Sequence, residues 1–127
     1  MIRLRNDFET AVAVEFRPSQ ALKLLHDVNY TIVRDDDRDL SARQLTILLT
    51  VYLEQPPHTV RGLAAKLNVT KPVITRALDT MGRMELLQRR RDPTDRRNVV
   101  VQRTVKGALY VERIGDLVVA KAKELPL

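Results

Sequence analysis

The sequence predicts a mainly α-helical fold carrying a small β hairpin. Three observations predict it. Apolar residues recur at helical spacing in successive segments from residue 19 to 82 and again from about 107 to 124. Serine and threonine caps and proline stops punctuate those segments. Two extended runs, 86–91 and 98–104, flank a polar loop that contains Asp92-Pro93.

Composition bounds the remaining classes. The chain has 127 residues, 44% hydrophobic and 30% charged, which suffices for a core and argues against wholesale disorder. It has no cysteine, which removes disulfides, thiolate chemistry and Cys-based zinc sites, and its two histidines, His26 and His58, supply a metal centre poorly. No uninterrupted apolar run exceeds four residues, against the roughly 18 that span a bilayer, and the N-terminus lacks the apolar stretch of a signal peptide. A soluble, cytoplasmic protein without a membrane partner is expected.

The formal net charge of +6 is unevenly placed. Between Thr59 and Lys106 stand twelve basic residues and four acidic ones, so this segment carries +8 and the rest of the chain −2. A basic module on a slightly acidic base suits a polyanion partner. The run Asp35-Asp36-Asp37-Arg38-Asp39 lacks the ligand spacing and turn glycine of a cation loop and reads as a solvated helix end or loop.

The elements follow in order. Within residues 1–18, Phe8, Thr10, Val12, Val14 and Phe16 alternate with Glu9, Ala11, Ala13 and Glu15, a period of two that reads as a strand or extended arm, and Pro18 stops it. From Ser19, an N-cap, a helix runs to about Arg34 with Leu22, Leu25, Val28 and Ile32 on one face. A second helix starts at Ser41, whose capping box is completed by Gln44; its expected stripe is Leu45, Leu48, Leu49 and Tyr52, and Pro56-Pro57 ends it near Glu54. Thr59 caps a short helix with Leu63, Ala64 and Leu67 inward, Asn68-Val69 turns the chain, and Thr70 caps the next helix.

Helix 70–82 is the most informative segment. Ile74, Ala77, Leu78 and Met81 lie at i, i+3, i+4 and i+7 and set the buried side, so Lys71, Pro72, Thr75, Arg76 and Asp79 project outward. The exposed N-terminal half is thus a basic, hydroxyl-bearing surface. After it come the hairpin, rich in arginine at and below its tip, and a last helix from about Gly107 to Glu124.

Helix, turn, helix and arginine-tipped hairpin is the order of a winged helix-turn-helix. An α-helix fits the major groove of DNA, where base edges are distinguishable, and a hairpin reaches the adjacent backbone or minor groove. Residues 19–127 are expected to form one such domain, with 41–106 as its DNA-binding core and the flanking helices, 19–40 and 107–127, for dimerisation. Glycine loops that cradle phosphate, metal-ligand clusters and nucleophile–base spacings are missing from the sequence; no enzyme, cofactor or metal is expected.

From about Leu40 to Gly107 the chain resembles the multiple antibiotic resistance regulator (MarR) family. The resemblance rests on Leu63-Ala64-Ala65-Lys66-Leu67-Asn68-Val69-Thr70, Val73-Ile74-Thr75-Arg76-Ala77-Leu78-Asp79, the run from Arg89 to Arg97, and Thr104-x-x-Gly107. Asp95 and Arg97, the Asp-x-Arg of the wing, are its most specific part. It implies a dimeric transcription regulator, often a repressor, dimerising through both termini and in many members releasing DNA on binding a small-molecule effector. Two positions and one length depart from the pattern: Glu85 where glycine is usual, Arg103 where an apolar residue is usual, and only twenty residues after Gly107, a short variant in which the effector pocket would be curtailed.

Individual roles follow. Lys71, Thr75 and Arg76 are the candidate major-groove contacts, since arginine offers guanine a bidentate pair and threonine bonds base or phosphate. Pro72 sits in the first turn, where its missing N–H costs nothing, and Val73 touches a thymine methyl or packs at the core edge. Thr70 either caps its own helix or meets a phosphate there. In wing 92–97, Arg97 is the candidate for the minor groove and Arg96 for phosphate; Asp95 either holds Arg97 by a charge-assisted bond or is a solvated turn carboxylate. Val111, Ile114, Val118 and Leu125 form a seam for a partner subunit or the first helix. The function expected is sequence-specific binding of an operator in double-stranded DNA by a homodimeric repressor; the alternative is a winged-helix module that binds protein or binds DNA without sequence preference.

Overall fold

The computed structural model describes residues 15–35 and 39–126, so the expected arm lies almost wholly outside the described residues. The described elements are α1 (Pro18–Asp35), α2 (Ala42–Leu53), β1 (His58–Thr59), α3 (Val60–Leu67), α4 (Lys71–Arg83), β2 (Leu87–Arg91), β3 (Val99–Arg103) and α5 (Val105–Lys123). They divide into two compact units: α1 with α5 from Asp116 onward, and the described residues between them through Gly115.

In the first unit α1 begins at Pro18, one residue before the expected cap. Proline has a helix-ready φ and no N–H to satisfy in a first turn, and the Gln20 side chain accepts the Arg17 N–H at 3.0 Å. Gln20 also donates to the Pro126 carbonyl at 2.9 Å. The expected α1 stripe is only partly inward. Val28 is buried and Ile32 half-buried, whereas Leu22 and Leu25 are 66% and 61% exposed, with Val33 exposed beside them.

The second unit has a core of Ile47, Leu48, Val51, Leu63, Ile74, Leu78, Met81 and Leu86, all essentially sealed from solvent. Ser41 and Gln44 form the expected capping box on α2. Its inward face, however, centres on Ile47, Leu48 and Val51, leaving Leu45, Leu49 and Tyr52 half-buried. Thr59 accepts the Gly62 N–H at 2.9 Å and starts α3. Asn68, with φ 55°, takes the left-handed turn between α3 and α4, a conformation asparagine tolerates better than most residues.

The sheet has three strands rather than the two of a plain hairpin, in antiparallel order β1-β3-β2. His58 and Thr59 pair with Val101 and Val100, too short a strand to show alternation. Helix α4 runs through Gly82 to Arg83, and the reversal into β2 is made at Glu85, whose φ is 62°. This left-handed position explains why glycine is usual there in the resembled family: it has no Cβ to clash. The Glu85 carboxylate pairs with Lys106 at 3.1 Å.

Helix α5 starts at Val105, two residues before the expected Gly107, with Thr104 just ahead of it. The Thr104 hydroxyl accepts the Gly107 N–H at 2.9 Å and donates to the Glu85 carbonyl at 2.7 Å. Gly107 is buried where a Cβ would collide with the Leu86 carbonyl and the Tyr52 hydroxyl. Within the seam, Val111 is buried and Ile114 packs on this unit's own core. These two residues of the seam thus serve the winged-helix core itself.

Candidate nucleic-acid interface

Helix α4 buries Ile74, Ala77, Leu78 and Met81, as its spacing requires. The opposite face presents Thr70, Lys71, Pro72 and Arg76 exposed and Thr75 half-buried. Thr70 occupies the N-cap position with extended backbone, but its hydroxyl makes no capping hydrogen bond. The first-turn N–H groups of α4 therefore lack a side-chain acceptor from this residue and carry the partial positive charge of a helix N-terminus.

The wing tip is built by two carboxylates. Asp92 accepts the Thr94 hydroxyl at 2.7 Å, the Thr94 N–H at 2.9 Å and the Asn98 amide at 3.4 Å. The Thr94 hydroxyl, foremost among these, holds the Asp92 carboxyl below the usual aspartate range. Asp95 accepts both the Arg97 N–H at 3.1 Å and the Arg97 Nε at 3.3 Å. The carboxylate is thus paired with Arg97, and the guanidinium, its side chain 85% exposed, remains available to solvent.

A partner assignment separates structural cations from open ones. In β2, residues 87, 89 and 91 share one strand face and 88 and 90 the other. Arg89 pairs with Asp79 at 2.6 Å, Arg91 donates to the Arg96 carbonyl at 2.8 Å, and Arg103 donates to the carbonyls of Val51 at 2.9 Å and Glu54 at 3.3 Å. Lys66 pairs with Glu54, and Arg83 bonds Thr80. Among the described residues of the basic segment, Arg61, Lys71, Arg76, Arg90 and Arg96 have no side-chain hydrogen bond or ion pair.

Of the sequence-predicted residues, five lie in the first turns of α4 and its cap, and Asp95, Arg96 and Arg97 lie together in the wing. Both groups belong to the same compact unit. Sequence reasoning missed the Asp79–Arg89 and Arg103 contacts and did not separate Arg61 and Arg90 from the committed cations. Strand parity was the available signal for Arg90. Among the described residues no group of His, Cys, Asp or Glu is placed to hold a metal, and no described helix is long and apolar enough to cross a membrane.

The model of the MarR family matches residues 40–99, which span α2, the helix-turn-helix and the hairpin into β3. Over those residues the chain is similar to the MarR family, and the elements they form are those of a winged helix-turn-helix. Solved structures agree on the fold. A MepR variant from S. aureus has 22% sequence identity and a TM-score of 0.65, covering 81% of this chain and 77% of that one. A MarR variant from E. coli has 24% identity and a TM-score of 0.65, covering 87% and 83%. The transcriptional repressor CouR, solved bound to a 23-mer DNA duplex, has 24% identity and a TM-score of 0.66, covering 84% and 72%. Among curated proteins nothing matches the chain.

Proposed function

We propose that this MarR-type chain is a sequence-specific regulator that binds operator sites in double-stranded DNA as a homodimeric, cytoplasmic repressor. The observation that carries the reading is the placement of the open cations. Lys71 and Arg76 stand on the exposed face of α4, and Arg90 and Arg96 lie along the hairpin, while the other arginines of the hairpin have partners within the protein.

Helix α4 enters the major groove with Arg76 and Thr75 toward base edges and Lys71 toward a phosphate. The uncapped first turn at Thr70 adds backbone N–H groups that favour a phosphate. Arg97, braced by Asp95, enters the minor groove, where positive side chains meet a concentrated negative potential, and Arg96 contacts the backbone. CouR and MepR, both solved with DNA, support a DNA partner. The exposed Leu22, Leu25 and Val33 of α1 and Val119 of α5 support burial of the terminal elements between two copies, and two recognition helices about 34 Å apart read paired half-sites.

Selection of bound duplexes from a random pool, with the mass of the complex, tests the proposal. A two-fold symmetric motif bound by two protomers is expected. Absence of any enriched motif refutes sequence reading, and one protomer per duplex refutes the dimer.

A further inference from the structure

The ion pair between Asp79 and Arg89 takes no part in the contacts assigned above, yet it joins the two elements that make them. Asp79 lies four residues from Thr75 and three from Arg76, on the outward side of α4. A lone carboxylate there would repel phosphate; Arg89 neutralises it at 2.6 Å. Along the same face of β2, Leu87 is 3% exposed and belongs to the core, Arg89 reaches α4, and Arg91 grips the Arg96 carbonyl at 2.8 Å. Arg89 stands opposite Val101, itself 3% exposed, so the root of its side chain is anchored over packed core. One strand face therefore fastens, in order, the core, the candidate reading helix and the wing turn.

We propose that Arg89, held by Asp79, and Arg91, held by the Arg96 carbonyl, are positioning residues. They fix the hairpin to α4 so that helix and wing meet one duplex in a set relation, and neither guanidinium contacts phosphate. The idea rests on the DNA-reading proposal and assigns opposite fates to neighbouring arginines: Arg89 and Arg91 serve geometry, and Arg90, on the other strand face without a partner among the described residues, is the cation open to DNA.

The test compares the wild-type protein with Arg89→Gln, Asp79→Asn and the double variant on a selected duplex and on a scrambled one, across about 50 to 200 mM salt. Exposed ion pairs add little to stability, and melting curves establish that the variants remain folded. Each single variant is expected to narrow the ratio of selected to scrambled affinity about fivefold, and the double variant no further, since both changes break one pair. On scrambled duplex the slope of log affinity against log salt is expected to stay unchanged for Arg89→Gln. A slope reduced by about one per protomer identifies Arg89 as a phosphate contact and overturns the proposal; additive losses in the double variant overturn it as well. If the wild-type protein enriches no motif, sequence reading fails while the salt slope on random duplex still decides the role of Arg89. If it binds no duplex, both proposals fall.

Discussion

Replacing Tyr52 by Phe removes one oxygen at the point where α2, the hairpin and α5 meet. The Tyr52 hydroxyl lies 3.1 Å from the Leu86 carbonyl and 3.0 Å from the Thr104 carbonyl, and accepts the Thr104 N–H at 3.0 Å. It has one proton, shared between two carbonyls, and one acceptance, so its net worth is about two hydrogen bonds, near 1 kcal/mol each. Phenylalanine keeps the ring beneath the Arg103 guanidinium, whose Cζ is 5.7 Å from the ring centroid, so that contact survives and the hydroxyl is isolated. The expected loss is about 2 kcal/mol. With an unfolding entropy of about 2.1 cal/mol/K per residue, that lowers Tm by about 7 °C if the chain melts as one unit. Urea denaturation gives the free energy and thermal denaturation the shift. A loss below about 0.5 kcal/mol would refute the reasoning, because it would mean that the Thr104 N–H and both carbonyls find equal partners without the hydroxyl.

Other expectations follow from single features. Glu85→Gly relieves a left-handed residue at φ 62°, worth about 1 kcal/mol, and forfeits only the exposed Lys106 pair, worth a few tenths; Tm rises by about 3 °C, and a fall contradicts the strain argument. Asp92→Ala removes the acceptor that shapes the wing tip and speeds tryptic cleavage after Arg96 and Arg97 several-fold at neutral pH. Because hydrogen bonds from Thr94 lower the Asp92 pKa in the folded chain, its stabilising contribution is complete above the ordinary aspartate value near 4 and is lost as pH falls through the lowered value. Amide signals of Thr94 and Asn98 therefore hold from pH 7 to about 4 and shift below it, and a shift near neutrality contradicts the assignment. With about four phosphate contacts per protomer, from Arg61, Lys71, Arg90 and Arg96, a dimer loses affinity with a log–log salt slope near −7; a slope near −2 leaves most of these cations unused.

What the sequence made legible depended on how local the determining physics is. The inward face of α4 was readable because its apolar residues alternate cleanly with Lys71, Thr75, Arg76 and Asp79. Helix α2 was read about one residue out of phase, since Leu45, Ile47, Leu48, Leu49, Val51 and Tyr52 are nearly all apolar and offer several stripes of equal merit. The α1 stripe failed in a similar way: Leu22 and Leu25 fit the face but point to its open edge. The position of the Thr70 cap was visible and the missing hydroxyl bond was not, because it depends on a rotamer rather than on spacing. Arg103 looked misplaced at an apolar strand position until the structure brought it to the last carbonyls of α2, 49 and 52 residues earlier in the chain. In the wing, the Asp95–Arg97 bond joins residues two apart and was anticipated; the Asp79–Arg89 pair joins a helix to a strand and was not.

The central claim is that α4 reads base edges through its open arginine. It is tested by the affinity of Arg76→Ala for the selected duplex and for a scrambled duplex of equal length, at one salt concentration. The account predicts a loss of about 1 to 3 kcal/mol per contact on the selected duplex, confined to the positions Arg76 reads, with little change on the scrambled one. An equal loss on both duplexes would show Arg76 to be a phosphate contact and would contradict the account.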